Sequence, residues 1–253
     1  MRRLEGKVAI VAGGATGIGA GSAKRLASEG AAVVVGDINV PSAKKVAAEI
    51  AASGGRAIAV DCDIGDDEAV ARLVKAAVDS YGGLDAIHIN AADLSIIGQD
   101  LDALEVSLAI FDRTIAIDLR GHLLCTRHAV PELLKRGGGA IVYTSSGAAF
   151  AGEPTRVGYA VAKAGVNALM RHVASRWGKE RIRANVVSPG LVLSETALAT
   201  LSKEQQQSQL DDAKTFRLGK PEDLAASVAF LMSEDGEWIN GQVITVDGGR
   251  SMR

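Results

Sequence analysis

Residues 8–19 read Val8-Ala9-Ile10-Val11-Ala12-Gly13-Gly14-Ala15-Thr16-Gly17-Ile18-Gly19, an apolar run passing directly into a turn with glycines at 13, 17 and 19. The next residues, through Glu29, carry Ala23, Leu26 and Ala27 at helical spacing, so the turn joins a strand to a helix. Six further short apolar runs follow at intervals: Ala32 to Val35, Ala57 to Val60, Ala86 to Ile89, Ala140 to Tyr143, Ala184 to Val187 and Val243 to Val246. Between them lie helical patterns such as Val70, Leu73, Val74 and Val78 after the start signal Asp66-Asp67. Seven strands alternating with helices predict an α/β fold with a parallel sheet, because each parallel crossover needs a long connection, usually a helix. The near-continuous apolar character of the strands fits a sheet covered on both faces.

Composition narrows the function classes. Of 253 residues, 47% are hydrophobic and 23% charged, the balance of an ordinary globular chain. Lys and Arg total 28 against 30 Asp and Glu, a net charge of −2, so there is no basic field to hold nucleic acid. Two cysteines, Cys62 and Cys125, are too few for a disulfide framework and point to a reducing compartment. The start of the chain lacks the apolar run of a secretory signal, and the charge-free stretch Gly137 to Gly152 is shorter than the roughly 18 residues of a spanning helix. The expectation is a cytoplasmic protein with no membrane partner. No composition break divides the chain, so residues 1–253 read as one domain, with an irregular stretch around 190–220 as a substrate lid.

A glycine-rich turn between strand and helix lets backbone approach a pyrophosphate and aims helix N-terminal N–H groups at its charge. Alone, such glycine spacing arises easily in a chain with 29 glycines, and a turn without ligand explains it equally well. The second strand, however, ends at Gly36-Asp37, 18 residues beyond Gly19. An acid there accepts hydrogen bonds from the adenosine ribose and repels a 2′-phosphate, favouring NAD over NADP; the competing reading is a solvated loop carboxylate. Asp63, after the third strand, either meets the adenine amino group or caps the helix starting near Asp66. Asn90-Ala91-Ala92 puts small side chains where a cofactor would pass.

After the fifth strand come Thr144-Ser145-Ser146-Gly147, then Tyr159 and, four positions on, Lys163. Four apart on a helix, the last two share a face, so the ammonium can lie beside the phenol and favour its ionised form. A phenol so placed can shuttle a proton near neutral pH. Ordinary packing explains the pair in isolation; together with Ser146, the nucleotide turn and Asp37, all at strand C-terminal ends, it reads as a site.

Taken together these motifs make the chain resemble the short-chain dehydrogenase/reductase family, in its branch of about 250 residues with a G-x-x-x-G-x-G turn and Tyr-x-x-x-Lys. The resemblance spans nearly the whole chain, including Pro189-Gly190 after the sixth strand and the ending Gly241 to Gly249. It implies a Rossmann-like doubly wound fold binding NAD through Gly13, Thr16, Gly17, Ile18, Gly19, Asp37, Asp63, Asn90, Tyr159, Lys163, Pro189, Val192 and Ser194. Tyr159 would be the general acid/base, Ser146 would orient the substrate oxygen, and Lys163 would tune Tyr159 and hold the nicotinamide ribose. Val192 and Ser194 would bind the carboxamide. Ala12, Ile89, Ala92 and Ser194 depart mildly from the family pattern. Asp118 stands where the family's fourth catalytic residue is normally asparagine, holding a proton-relay water through its main-chain carbonyl; the aspartate is expected to keep that geometry while adding charge near Lys163. The resemblance also implies a homotetramer, or failing that a dimer, with the helices of 103–134 and 159–177 at the contacts.

The leading expectation is therefore an NAD-dependent oxidoreductase acting on a small-molecule secondary alcohol or ketone. The rival is a non-catalytic NAD(H)-sensing module on the same fold, for which Asp118 speaks. A sugar-nucleotide epimerase of the family's extended branch fits less well, because the C-terminal part is short. The four histidines, His88, His122, His128 and His172, lack paired-ligand spacing, so no catalytic metal is expected. The stretch Ala103 to Leu134 reads as helical, with Leu104, Leu108, Phe111, Ile115 and Leu119 on a core-facing stripe. Pocket walls would come from Asp93 to Ile96, Ala148 to Arg156 and the stretch after Gly190, a moderately apolar set in which Glu153 and Arg156 either meet a polar substituent or face water.

Overall fold

A computed structural model describes residues 2–252. The strands are β1 (Val8–Ala12), β2 (Ala32–Asp37), β3 (Arg56–Asp61), β4 (Ala86–Ile89), β5 (Gly139–Thr144), β6 (Ile182–Pro189) and β7 (Val243–Val246). They form a single seven-stranded sheet in the order β3-β2-β1-β4-β5-β6-β7, every neighbouring pair parallel. It is the Rossmann-like doubly wound arrangement. All seven sequence runs are strands.

Alternation along each strand explains why the runs are apolar throughout. In β1, Val8, Ile10 and Ala12 enter the core on one face, while Ala9 and Val11 enter the core on the other. The first face is covered by α3 (Asp67–Tyr81), α5 (Gly121–Lys135) and α6 (Val157–Trp177), through residues such as Leu73, Leu133 and Met170. The second is covered by α1 (Gly17–Ser28), α2 (Val40–Ala52) and α9 (Pro221–Met232), through Leu26, Val46 and Val228. With helices on both sides there is no solvent face to demand polar residues.

The order reverses between β1 and β4. From β1 the chain winds outward to β3 and then returns to β4, leaving a crevice at the carboxyl ends of β1 and β4 where no crossover helix closes it. All the sequence-predicted site residues lie on segments at that edge.

Two expectations need correction. The stretch 103–134 is not one continuous helix with a buried stripe. Ser107 caps α4 (Leu108–Ile115), a π turn covers Ala116–Arg120, and only then does α5 begin. Leu104 precedes the helix and is 95% exposed, and Leu108 is 76% exposed. Helical spacing does not apply to Leu104, which lies outside α4, and the π turn adds a residue to one helical turn and so breaks a uniform count between α4 and α5. Asp63, in turn, does not cap α3; Asp66 does, accepting from the Glu68 N–H at 3.0 Å, while the Asp63 carboxylate accepts from Gly65 N–H at 2.8 Å.

The stretch after β6 leaves and re-enters the body at one place. Val192 and Gly219 form a parallel bridge, with Leu193 N–H donating to the Gly219 carbonyl (2.8 Å) and Gly219 N–H to that of Leu191 (3.1 Å). Between them lie α7 (Glu195–Thr200) and α8 (Lys203–Asp212), and α8 buries none of its residues. Its outer end is clasped from the C-terminal segment, where Arg250 reaches the Gln209 and Asp212 side chains.

Candidate active site

The glycine turn folds tightly against its neighbours. Gly13 adopts φ +82°, and the N–H groups of Gly13 and Gly14 both donate to the Gly36 carbonyl of β2 (2.8 and 3.1 Å). A Cβ on Gly13 would lie 2.5 Å from the Ala91 nitrogen, and one on Gly19 only 1.8 Å from the Gly13 carbonyl oxygen. No side chain fits at either position, so backbone alone lines the crevice there. Thr16 caps α1 without a side-chain bond, leaving the helix N-terminal N–H groups open to an anion. Gly17 sits beside Ser194, where a Cβ would meet the serine Cβ at 3.3 Å, bringing the start of the 192–219 excursion over the turn.

Asp37 closes the turn from β2. One carboxylate oxygen accepts from Ala15 N–H and the other from Asn39 N–H, both at 2.9 Å, which fixes the acid beside the turn with lone pairs to spare. Asn90 ties three elements together. Its amide nitrogen donates to the Gly13 carbonyl (2.9 Å) and its amide oxygen accepts from the Thr144 hydroxyl (3.0 Å). It braces β4, the turn and β5 with one of its two N–H donors and one of its two oxygen lone pairs.

Ser146 follows β5 directly, and its hydroxyl accepts from Ala148 N–H at 3.2 Å. Tyr159 and Lys163 lie on α6, with the Lys163 Nζ 5.6 Å from the Tyr159 ring centre. Lys163 is almost wholly buried, and its ammonium donates to the Thr144 carbonyl at 3.2 Å. Ser145 ties the same helix to β5 by donating to the Lys163 carbonyl (3.2 Å). The serine, tyrosine and lysine are thus gathered at the carboxyl end of β5, two strands from the glycine turn.

Behind Lys163 lies a buried polar cluster. Asp118, in the π turn, is fully buried; one oxygen accepts from Asp93 N–H at 2.8 Å and the other has no partner among the described residues. Burial pushes its carboxyl above the ordinary range, against the pull of the Lys163 ammonium. His122 stacks against Tyr143, and burial, reinforced by Lys163, holds its imidazole well below the ordinary value. His88 Nε2–H donates to the Thr144 hydroxyl oxygen at 2.9 Å, since that hydroxyl's own hydrogen goes to Asn90, and burial pulls the imidazole down to about 3. Both cysteines are buried and free; burial pushes the Cys62 thiol up to about 12 and the Cys125 thiol well above its ordinary range, so neither is a nucleophile.

Comparison with known proteins supplies the identity. The family model for enoyl-(acyl carrier protein) reductase matches residues 13–251. A probable short-chain type dehydrogenase/reductase of Bradyrhizobium diazoefficiens is 44% identical over 249 residues, covering 98% of this chain and 89% of the relative. The chain belongs to the short-chain dehydrogenase/reductase family. Another member, the 7α-hydroxysteroid dehydrogenase of Escherichia coli, is 34% identical over 98% of this chain and 95% of its own. A solved 7α-hydroxysteroid dehydrogenase, in complex with NADH and 7-oxo glycochenodeoxycholic acid, superposes with a TM-score of 0.92 at 34% identity, over 98% of this chain and 95% of that one. Membership makes this short-chain dehydrogenase/reductase an oxidoreductase.

Of the residues expected from the sequence, the turn glycines, Asp37 and Ser146 follow or end β1, β2 and β5 at their carboxyl ends, and Tyr159 and Lys163 lie at the start of α6. Pro189 ends β6, Val192 is buried at the bridge, and the Ser194 hydroxyl caps α7 by accepting from Ala197 N–H at 3.1 Å. Two site residues had no signal in the sequence reading. Thr144 links His88, Asn90 and Lys163, and Asp100 reaches the first turn of α6 from a loop far earlier in the chain. The absence of a capping residue before Val157 is the one clue that α6 borrows its cap from elsewhere. A cavity of about 730 Å³ opens at the opposite, N-terminal edge of the sheet, beside Lys7, Asp85 and Gly139, and has no part in this site.

Proposed function

We propose that the protein is an NAD-dependent dehydrogenase interconverting a secondary alcohol and its ketone, with Tyr159 as general acid/base. The observation that carries this reading is the buried Lys163 ammonium held behind the Tyr159 ring, on a helix pinned to the strand that delivers Ser146. The residues present fit the cofactor. The turn at Gly13, Gly17 and Gly19 is a backbone cradle that a Cβ would fill, α1 presents free N–H groups there, and Asp37 sets a carboxylate where a ribose diol is welcome and a 2′-phosphate is not. When bound, NAD supplies the acceptor for hydride from the carbinol carbon.

This chain's residues do the rest. The Ser146 hydroxyl holds the substrate oxygen by hydrogen bonding, and the Tyr159 phenolate oxygen takes the hydroxyl proton. In the reverse direction Tyr159 returns that proton to the carbonyl oxygen. Lys163, its Nζ 5.6 Å from the Tyr159 ring centre, sets a positive charge beside the proton-carrying side chain. Asp118, its side chain held by Asp93 N–H, leaves the main chain of the π turn to organise the relay.

The substrate we assign is an extended, largely apolar secondary alcohol of hydroxysteroid type. Leu94, Phe150 and Leu198, on segments at the carboxyl edge, are all at least 40% exposed, and the related 7α-hydroxysteroid dehydrogenases act on a molecule of that class. We further assign a cytoplasmic homotetramer, supported by the exposure of Leu108 on α4 and Val161 on α6. Among the described residues no helix is long and apolar enough to cross a membrane.

A panel of hydroxysteroids and smaller secondary alcohols, followed by NADH absorbance with NAD and NADP in parallel, tests the reading. Turnover with NAD, best on the larger apolar alcohols, is expected. NADH binding without turnover on any member would favour the sensing module instead.

A further inference from the structure

The first turn of α6 carries Tyr159, yet the chain offers it no local cap. Arg156, at the cap position, is left-handed (φ 65°) and makes no side-chain capping bond. A helix start leaves four N–H groups to satisfy. Here a segment more than fifty residues earlier meets all four. Arg156 N–H donates to the Asp100 carbonyl at 2.7 Å, and Val157 N–H to the Leu101 carbonyl at 3.3 Å. The Asp100 carboxylate takes the other two: Gly158 N–H to Oδ1 at 3.0 Å and Tyr159 N–H to Oδ2 at 2.7 Å.

Asp100 is only 2% exposed. The approach is close enough that a Cβ on Gly158 would lie 3.3 Å from Oδ1, so a glycine at 158 accommodates the clamp. Asp100 also terminates the 3₁₀ turn Leu94–Gln99, which follows Asn90 and Asp93 directly from the cofactor edge of β4. Asp93 itself is held by Asp118 through its N–H. One carboxylate therefore fastens the wall of the substrate crevice to the backbone of Tyr159.

We propose that Asp100 is a positioning residue: its two-oxygen clamp on the amides of Gly158 and Tyr159 sets the phenol's place relative to Ser146 and couples it to the 94–99 wall. The inference rests on the function proposed above for Tyr159. Charge contributes as well as geometry, because a carboxylate at a helix N-terminus is favoured by the aligned peptide dipoles. The glycine turn stands on a different strand and does not depend on this clamp.

The test uses Asp100→Ala and Asp100→Asn in the full-length protein. For Asp100→Ala, kcat falls by roughly tenfold to a hundredfold, the scale of a misplaced reacting group, while NADH affinity by fluorescence titration stays within about twofold. Asp100→Asn keeps one acceptor oxygen and recovers part of kcat. A folded Asp100→Ala with unchanged kcat, or a loss of kcat matched by loss of NADH affinity, would overturn the positioning role. Amide hydrogen exchange at Gly158 and Tyr159 reads the clamp without any turnover. Protection present in the native protein and lost in Asp100→Ala supports it; protection retained in that variant overturns it. If the native protein turns over no alcohol, the proposed function fails, and exchange still decides whether the clamp exists.

Discussion

Two imidazoles sealed in the core make stability fall on mild acidification. His88 on β4 is fully buried, with one ring nitrogen on the Thr144 hydroxyl and the other without a partner, and burial pulls it down to about 3. His122, also fully buried, is held well below its ordinary value by burial and by Lys163. In the unfolded chain both imidazoles take a proton near pH 6.5. Because the folded values are depressed, the unfolded state binds more protons below that pH, so stability present at neutrality is lost as pH falls. Linkage puts the loss between pH 7 and pH 5 at about 2 kcal/mol for His88, and His122 adds to it in the same direction. Even the His88 share is appreciable beside the roughly 5–15 kcal/mol typical of a folded domain. Asp118 acts in the opposite sense: its raised carboxyl takes a proton in the folded state before the unfolded chain does, returning some stability as pH falls toward its unfolded value. The assay is urea unfolding at pH 7 and pH 5, at fixed protein concentration, for the native protein and His88→Leu. The substitution changes stability by a constant at both pH values, which cancels in the comparison. The acid loss should shrink by about 2 kcal/mol in the variant. Equal losses in the two proteins would mean that His88 is not held neutral in the core, and the reasoning would fail.

Three further outcomes follow from the same structure. Gly19→Ala places a methyl 1.8 Å from the Gly13 carbonyl oxygen and 2.9 Å from the Asn90 amide, so the turn must open; NADH affinity should drop by roughly a hundredfold, about 3 kcal/mol, in a fluorescence titration. Asp37→Ala removes the charge that repels a 2′-phosphate, and the ratio of kcat/KM for NADP over NAD should rise by roughly tenfold or more; an unchanged ratio would remove Asp37 from cofactor selection. Asp118→Asn keeps an acceptor for Asp93 N–H and removes a buried charge whose burial cost outweighs its attraction to Lys163. It should stabilise the protein at pH 7, with the gain vanishing in acid where Asp118 is protonated; destabilisation at pH 7 would show that the Lys163 pairing dominates.

What the sequence made legible was local. β1 and β5 could be read because both faces of each strand are covered, which leaves an unbroken apolar run in the chain. Tyr159 and Lys163 were placed together by helical spacing alone, and the glycines at 13, 17 and 19 by a turn that tolerates no Cβ at two of them. What escaped depends on partners far apart in the chain. Nothing local marks Asp100 as the cap of α6, because its bonds to Gly158 and Tyr159 exist only once β4 and β5 are adjacent. The bonds of Asn90 to Gly13 and Thr144 escaped for the same reason, since the sheet brings those elements to it. The π turn at Ala116–Arg120 has no compositional signature, and α4 starts only at Leu108, so Leu104 lies outside any helix and both leucines are exposed. Asp63 and Asp66 are both acceptable caps by residue type; only the backbone geometry at Asp66 selects it.

The claim on which the account rests is that a phenol backed by a buried ammonium moves the substrate proton beside bound NAD. The most direct measurement compares the native protein with Tyr159→Phe in NADH binding and in alcohol oxidation, on the best substrate of the panel. The account predicts equal NADH affinity and a loss of at least roughly a thousandfold in kcat for the variant, in keeping with removal of a general acid/base. Oxidation at a comparable rate with phenylalanine at position 159 would contradict it.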